Sequence, residues 1–344
     1  SYRAIVCHEH STERPSSTVI QTGFPTGGPT LGDVGERAVI RSIVEATPSA
    51  INGDDAAVLH WSSPNSRVVA TTDMLVEGRH FRPDVTTAHR VGRKAIVQNF
   101  ADVEAMGARP VAALLSLSAP KNLPVAVVEE LAHGIGEEVG KYAAELVGGD
   151  VTSGDSLVMS VTAIGSLGGN RPALTLTGAR SGQNLVAHGR IGYSAAGLAL
   201  LESGRKIPEE FAPLVDAYQA PEITPGSGVI ARSAGATSMT DNSDGLLHDL
   251  SLLAVRSGVR LDIDSAAVAP DDVLRQAGDF LGHDPWQWVC EGGEDHTLLG
   301  TLNADAPVGF RTIGTVSRPG PGDQPGVTID GRTPHYGGGW ESFA

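Results

Sequence analysis

Aspartates recur in this sequence where strand-like or helical segments end. The segments read NGDDAAV with Asp54 and Asp55, TTD with Thr71, Thr72 and Asp73, GGD with Asp150, and TDNSDG with Asp241 and Asp244. Carboxylate and hydroxyl oxygens without a Cys or His among them are the ligands of a hard divalent cation, and Mg²⁺ is the leading candidate. If the aspartates converge, each pair about 4 Å apart repels by about 4 kcal/mol at an effective dielectric constant near 20, so several cations are needed.

Asp102 belongs with these aspartates although it lies inside a helical pattern. It follows Asn99 by three residues and projects near an apolar stripe that includes Ala95, Val103 and Met106. A carboxylate on such a face is costly unless it is paired or bound to a metal. A sideways orientation into solvent is the alternative for Asp102.

Each of the other aspartates also has a purely structural interpretation. Asn52 and Gly53 before Asp54 suit a hairpin turn. Asp241, Ser243 or Asp244 suits the N-cap of the helix that follows, and Asp150 after two glycines suits an ordinary loop. All of these interpretations must hold at once if no metal site exists.

The surrounding elements alternate between strand and helix patterns, which is typical of an α/β or α+β protein. The apolar spacing predicts a helix over residues 123–147 that ends at Gly148 and Gly149, then a loop with Asp150 and a strand over 157–167. TSMTDNSDGLLHDLSLLAVRSG predicts a short strand, an acidic loop and a helix that stops at Gly258.

A chain of 344 residues favours two domains. Residues 1–30 mix turn formers and polar residues and predict a mobile extension. Residues 166–174, SLGGNRPAL, interrupt the strand pattern with glycines and a proline, so we place domains at 31–168 and 169–344.

Composition limits the possible partners. A net charge of −15 with scattered Lys and Arg disfavours nucleic acid and anionic membranes, and no segment approaches the roughly 18 apolar residues of a membrane span. No signal peptide pattern is visible, and two distant cysteines, Cys7 and Cys290, suit a reducing cytoplasm. A small-molecule ligand is favoured, and a phosphorylated one would need cations to offset the protein's charge.

The ordered motifs GDDAAVL, TTDMLVEGRHF, KAIVQNFADVEAMGARP, LVGGDVTSGDSLVMSVTAIG, DNSDGLLHDL and EGGEDHTLL resemble the thiamine-monophosphate kinase family. This family shares an ATP-binding superfamily with aminoimidazole ribonucleotide synthetase and selenophosphate synthetase. The resemblance covers roughly residues 30–344, and VEGRHF together with GGEDH separates the family from its superfamily relatives.

The resemblance implies two α/β domains, each a mixed sheet covered by helices, with the active site in the cleft between them and a homodimer formed through the N-terminal domains. It implies phosphorylation of thiamine monophosphate by ATP with several Mg²⁺ ions. The residues it assigns to the metals are Asp55, Thr71, Thr72, Asp73, Asp102, Asp150, Asp241 and Asp244. Those it assigns to ATP are Gly149, Asp150 and Ser243.

For the thiamine substrate the resemblance assigns His80, Glu294 and Trp340. An acid and an indole face suit a cationic ring. Trp340 also suits a hydrophobic anchor of the C-terminus, and His80 a structural loop histidine. Phosphoryl transfer depends on positioning and charge neutralisation, so we assign no general base.

Two positions depart from the family pattern. Leu176 stands where an arginine that reaches the nucleotide is usual, and Asn242 stands where an aliphatic residue is usual. Because of Leu176, a protein that binds thiamine phosphate or a nucleotide without turnover is one alternative function. A sister synthetase and a Mg²⁺-dependent phosphohydrolase are the enzymatic alternatives. Strand alternation predicts that Asn242 points into the interior, opposite Asp241 and Ser243.

Overall fold

The computed structural model describes residues 20–52, 56–57, 59 and 64–337, and the structural statements below concern these residues. They form two α/β domains, each built on one mixed sheet with helices packed against it. The predicted fold class is therefore confirmed. No helix in the described part of the chain is both long and apolar enough to span a bilayer.

The first domain contains four helices and four strands. The helices are α1 (Leu31–Val34), α2 (Glu36–Ala46), α3 (Ala88–Ala105) and α4 (Val125–Lys141). The strands are β1 (Arg67–Val76), β2 (Arg109–Ala119), β3 (Glu145–Ser153) and β4 (Val158–Leu167). Their order in the sheet is β1-β4-β2-β3; β2 and β3 run parallel, and the other neighbours are antiparallel.

Helices α3 and α4 cover one face of this sheet, and the other face stays uncovered by the described residues. Because strand side chains alternate, Val69, Leu75 and Val161 pack against the helices, whereas Val68 and Met74 remain 58% and 53% exposed. We call the second surface the open face.

The boundary between α4 and β3 differs from the predicted one. The helix ends at Lys141, and Ala143 adopts φ 49°, a left-handed conformation that ends the helix without a glycine. Leu146 therefore belongs to β3, and so does Asp150, which we had placed in a loop. Gly149 is required here because a Cβ would lie 1.8 Å from the carbonyl oxygen of Leu115 on β2.

The second domain carries the longer sheet, in the order β10-β7-β9-β5-β8-β6. Its strands are β5 (Asn184–His188), β6 (Ser238–Asp241), β7 (Arg260–Ile263), β8 (Leu298–Leu302), β9 (Arg311–Ser317) and β10 (Gly326–Ile329). Its helices are α5 (Tyr193–Glu202), α6 (Ala212–Gln219), α7 (Ser227–Ser233), α8 (Leu246–Ser257), α9 (Ser265–Val268), α10 (Asp272–Leu281) and α11 (Pro285–Glu291), with a 3₁₀ turn at Glu209–Phe211. Helix α8 ends at Gly258 with φ 68°, as predicted.

Buried side chains connect the domains, among them Arg232 and Glu104. The guanidinium of Arg232 on α7 donates to carbonyl oxygens of Gly168, Arg171 and Pro172, just after β4 ends. The carboxylate of Glu104 on α3 accepts hydrogen bonds from the backbone of the second domain at the start of α7. Side-chain to backbone hydrogen bonds therefore hold together the segment that follows β4 and helix α7, and also helices α3 and α7.

We had predicted a mobile extension over residues 1–30, but only residues 1–19 of it lie outside the described residues. Ile20 packs against the core of the second domain, and the carbonyl of Gln21 accepts from Gln219 Nε2 on α6 at 3.3 Å. The residues that follow pack against the first domain. The backbone N–H of Gly23 donates to the carbonyl of Thr86 at 2.9 Å, and Phe24 stacks on Phe81 with ring centroids 6.1 Å apart. Thr30 then starts α1 with a capping box formed with Asp33.

Candidate active site

A cavity of about 790 Å³ lies between the two domains and gathers side chains from both. The first domain lines it with Asp73, His80 and Asp102, and the second with Asp241, Ser243, Asp244 and Glu294. We call it the front cavity. Seven of the residues predicted from the sequence therefore meet at one site.

Strand β1 and helix α3 position the acidic end of this cavity. Because β1 residues alternate, Thr71 and Asp73 both point toward α3. The Thr71 hydroxyl donates to Asp102 Oδ2 at 2.7 Å. Asn99 on α3 accepts from the backbone N–H of Asp73 at 3.0 Å and so fixes the strand to the helix.

The carboxylates of this cluster oppose one another's ionisation. Burial, and then the charges of Asp241 and Asp73, raise the pKa of Asp102 to about 7. Burial is also the main cause of the raised pKa of Asp73, with a further contribution from Asp241. Carboxylates that repel one another in this way, with the Thr71 hydroxyl beside them, fit a hard divalent cation such as Mg²⁺.

A buried histidine that we did not predict orients Asp241 at the end of β6. His296 Nδ1 lies 2.9 Å from Asp241 Oδ2. Burial opposes protonation of His296, but the hydrogen bond and charge of Asp241 outweigh it and raise the pKa of the imidazole. The sequence signal was the final His of GGEDH, whose partner lies 55 residues away.

The loop of residues 292–297, which we call the GGEDH loop, separates two cavities. Glu294 and His296 adopt φ 62° and 53° and line the front cavity. Asp295 between them lines a second cavity of about 780 Å³ on the other side, where it accepts bonds from the backbone N–H groups of Gly192 and Ser194 at 2.6 and 2.8 Å. Successive side chains of the loop therefore face opposite cavities.

The end of the front cavity away from the aspartates contains His80 and Glu294. His80 Nδ1 accepts from the backbone N–H of Val76 at 2.9 Å, and burial lowers the pKa of the ring. Glu294 forms an ion pair with Lys94 at 3.0 Å, and Lys94 Nζ lies 4.3 Å from the ring centroid of Tyr218. We did not predict a role for Lys94 or Tyr218.

A third acid stabilises the loop that carries Ser243 and Asp244. Asp249 Oδ2 accepts from the backbone N–H groups of Asp244 and Gly245 at 3.0 and 3.1 Å. Burial, followed by the charge of Asp241, raises its pKa to about 7. One ligand atom each from Asp244, His248 and Asp249 lies within 4.8 Å of the others, so this group could also hold a cation.

Asp150, Gly149 and Thr72 are not brought to the front cavity within one chain. Asp150 is paired in register with Ser116, Ser116 with Ser160, and Ser160 with Met74, so Asp150 lies on the open face. Three strand spacings separate β3 from β1, roughly 14 Å. Thr72 also points away from α3 and donates to the carbonyl of Val161 at 3.0 Å.

The first domain matches the family model described as "AIR synthase related protein, N-terminal domain" over residues 53–167. The chain is 60% identical over 318 residues to the thiamine-monophosphate kinase of Corynebacterium glutamicum, covering 92% of this chain and 96% of that protein. The chain belongs to the thiamine-monophosphate kinase family. A family member from Mycobacterium tuberculosis is 45% identical over 325 residues, covering 92% and 94%.

A solved structure supports the same family assignment. "AaThiL complexed with AMPPCP and TMP" superposes on this family member with a TM-score of 0.72 and 30% identity, covering 92% of this chain and 99% of that one. Asp55 and Trp340, two of the predicted site residues, lie outside the described residues of this family member. Leu176 is partly buried against the core of the second domain, and its carbonyl accepts from Ser257 Oγ at 2.6 Å.

Asn242 of this thiamine-monophosphate kinase family member is completely buried, as strand alternation predicted. Neither its side-chain nitrogen nor its oxygen has a hydrogen-bond partner among the residues that the structure describes. A buried amide without partners costs about 1 to 3 kcal/mol. We therefore expect Asn242→Val to leave the Tm unchanged or raise it, with kcat within a few-fold of the parent protein.

Asn99→Val provides the matched control for this prediction. Asn99 is equally buried, but its amide donates to the carbonyl of Ala95 at 2.9 Å and accepts from the backbone of Asp73. Thermal melts should show a clear loss of stability for Asn99→Val alone. Unchanged stability with a large loss of activity in Asn242→Val would mean that Asn242 acts in the site.

Proposed function

We propose that this chain transfers the terminal phosphate of ATP to the phosphate of thiamine monophosphate, which gives thiamine diphosphate and ADP. The main support is the convergence of Thr71, Asp73 and Asp102 with Asp241 and Asp244 around one cavity that has Glu294 at its other end. The names of the relatives at 60% and 45% identity agree with this reaction.

The acidic end of the cavity would hold the reacting phosphates. In our proposal Thr71, Asp73, Asp102, Asp241 and Asp244 bind Mg²⁺, together with the predicted ligands Asp55, Thr72 and Asp150. When bound, Mg²⁺ supplies charge neutralisation for the phosphates and for these carboxylates. Ser243, together with Gly149 and Asp150, would contact ATP.

The other end of the cavity would hold the thiamine moiety, with Glu294 and His80 and the predicted contact Trp340. No residue needs to remove a proton, because the acceptor is already an anionic phosphate oxygen that attacks the terminal phosphorus as the bond to ADP breaks. The chain's contribution is to align the two phosphates.

Incubation with ATP, Mg²⁺ and thiamine monophosphate, followed by separation of the thiamine esters and nucleotides, tests this function. We expect one ADP for each thiamine diphosphate. Release of ADP and inorganic phosphate without thiamine diphosphate would instead support a phosphohydrolase. Binding of both substrates without any product would support the alternative suggested by Leu176, a binding protein without turnover.

We further propose that the protein is a homodimer formed through the open face of the first domain. Among the described residues this face has no helical cover, and it carries the exposed side chains of Val68 and Met74. The dimer also offers a role for Asp150, which lies on the open face and would serve the partner's site. A cytoplasmic location remains our proposal; the buried free thiol of Cys290 is compatible with a reducing compartment.

Charge at the proposed interface should separate the subunits. We expect Val68→Lys to shift the protein from dimer to monomer in sedimentation velocity, because a lysine at an apolar contact must be desolvated. Val308→Lys is the control, since Val308 is 86% exposed and lies in the second domain. A wild-type monomer, or dimers of equal stability in both variants, would contradict the proposed interface.

Mixing two inactive variants tests whether Asp150 serves the partner's site. In a hybrid of Asp102→Asn and Asp150→Asn chains, one site combines an intact Asp102 with an intact Asp150 from the other chain. If Asp150 acts across the interface, subunit exchange should restore activity that neither variant has alone. Exchange that produces hybrids but no activity would place Asp150 in the site of its own chain.

A further inference from the structure

Lys94 on α3 is a buried cation next to the substrate end of the front cavity. Its side chain is only 3% exposed, and its ammonium lies 3.0 Å from Glu294 Oε1. The ammonium also lies 4.3 Å from the centroid of the Tyr218 ring, a cation–π distance. A buried ammonium is costly unless it is paired, so Lys94 and Glu294 constrain each other.

The backbone already directs Glu294 toward the cavity. Glu294 adopts φ 62°, which is uncommon for a residue other than glycine, and its N–H donates to the carbonyl of Ser243 at 2.8 Å. Its side chain remains 35% exposed and lines the front cavity. Because a carboxylate has two oxygens, pairing at Oε1 leaves Oε2 available to a ligand.

Lys94 also lies on a line of polar residues along α3. Lys94, Gln98 and Asp102 are spaced four residues apart, so they lie on one side of the helix over about 12 Å. Asp102 is at the acidic end, where Thr71 donates to it, and Lys94 is at the end where Glu294 lies. The helix therefore gives the cavity a metal end and a substrate end.

We propose that Lys94 is a positioning residue for thiamine monophosphate: it holds Oε1 of Glu294 so that Oε2 meets the cationic, amino-bearing part of the substrate. This inference rests on the proposed function. Tyr218 keeps the ammonium next to its ring, so the substrate meets the carboxylate before it meets the lysine. Lys94 acts through Glu294 and does not touch the reacting phosphates.

The test compares Lys94→Met with the parent protein. Met has a side chain of similar length but lacks the ammonium, so the substitution removes both the charge and the N–H donors. We expect the KM and the Kd for thiamine monophosphate to rise about tenfold to a hundredfold, the range for one charge-assisted hydrogen bond. The KM for ATP and kcat should stay within about twofold. Arg90→Met is the control, because Arg90 is on the same helix but lines the second cavity and pairs with Asp216.

A double-mutant cycle with Glu294→Gln separates positioning from a structural role. Once Glu294 is replaced, Lys94→Met should change the affinity for thiamine monophosphate by no more than about twofold, which is the non-additivity expected of a coupled pair. Calorimetric titration of thiamine monophosphate without ATP gives the Kd for all four proteins. If Lys94→Met does not fold, Lys94→Gln replaces it in the cycle.

Three results from the variants would overturn the inference. These are an unchanged affinity for thiamine monophosphate in Lys94→Met, an equal rise in the KM for ATP, or an undiminished effect of Lys94→Met in the Glu294→Gln background. A wild-type protein that binds thiamine monophosphate but makes no thiamine diphosphate would refute the proposed function alone. In that case the Kd values of the double-mutant cycle would still test the role of Lys94. A wild-type protein that does not bind it would refute both.

Discussion

Asp102→Asn is expected to lower kcat for thiamine diphosphate formation by about 10²- to 10³-fold, the cost of losing one stabilising group in such a site. The same substitution should raise the Tm of the metal-free protein. Asp102 receives a hydrogen bond from Thr71 at 2.7 Å, and an Asn oxygen can accept the same bond. What the substitution removes is a charge that burial, Asp241 and Asp73 all oppose.

The gain in stability should depend on pH. In the folded protein the pKa of Asp102 is raised from 3.8 to about 7, so the folded state binds more protons than the unfolded state between these values. The free energy of unfolding of the parent protein should therefore fall as the pH rises through this window. Asp102→Asn has no carboxylate at this position and therefore lacks this fall in stability. The difference in Tm between the variant and the parent protein should therefore grow from pH 5 to pH 8.

Thermal melts in EDTA across this pH range, with steady-state assays at saturating Mg²⁺, measure both effects. Asp305→Asn is the control, since Asp305 is exposed in the second domain and should change neither quantity. Near-normal kcat for Asp102→Asn would remove this residue from the metal site. A Tm advantage that shrinks with rising pH would show that the carboxylate is not repelled in the metal-free protein.

Glu104→Ala is expected to lower the free energy of unfolding by about 3 kcal/mol. The Glu104 carboxylate accepts from the backbone N–H groups of Gly226 and Gly228 at 2.6 and 2.7 Å, and its side chain is completely buried. Alanine would leave both amides without an acceptor and would also create a cavity between α3 and α7. Because these bonds join the two domains, the loss of stability should extend to both domains.

Urea melts of Glu104→Ala and of the exposed control Glu210→Ala measure this difference. A variant as stable as the parent would mean that water replaces the carboxylate at the start of α7. Activity gives a second readout, because α3 also carries Asp102. We expect a moderate fall in kcat in proportion to the disturbance of the helix.

The convergence of residues at the acidic end of the front cavity was largely predictable because its signals are local. The alternation of β1 places Thr71 and Asp73 on one side, and the helical spacing of α3 places Asp102 near them. The pattern misled us at Leu146, whose apolar side chain suits a helix and a strand equally well. Helix α4 ended at Lys141 because Ala143 took a left-handed conformation, which its residue type does not signal.

The end of the front cavity that contains His80 and Glu294 was only partly predictable because the side chains that pair there are distant in sequence. Lys94 and Glu294 pair across 200 residues, and nothing in the sequence near Lys94 indicates an acidic partner. His296 was visible only as one polar residue of EGGEDH, and Asp249 only as one polar residue of a helix pattern. The position of Asp150 depended on the order of four strands, which no local pattern determines.

The alternation of the GGEDH loop also restricts how its length can vary. Glu294 and His296 face the front cavity and Asp295 faces the second one, where it caps the start of α5. Deleting a single residue before Glu294 would shift the alternation of the loop by one residue, so that Asp295 would face the front cavity and its neighbours would turn toward α5. An insertion or deletion in this segment is therefore far more damaging than a substitution, and homologous chains that keep both cavities should keep its length.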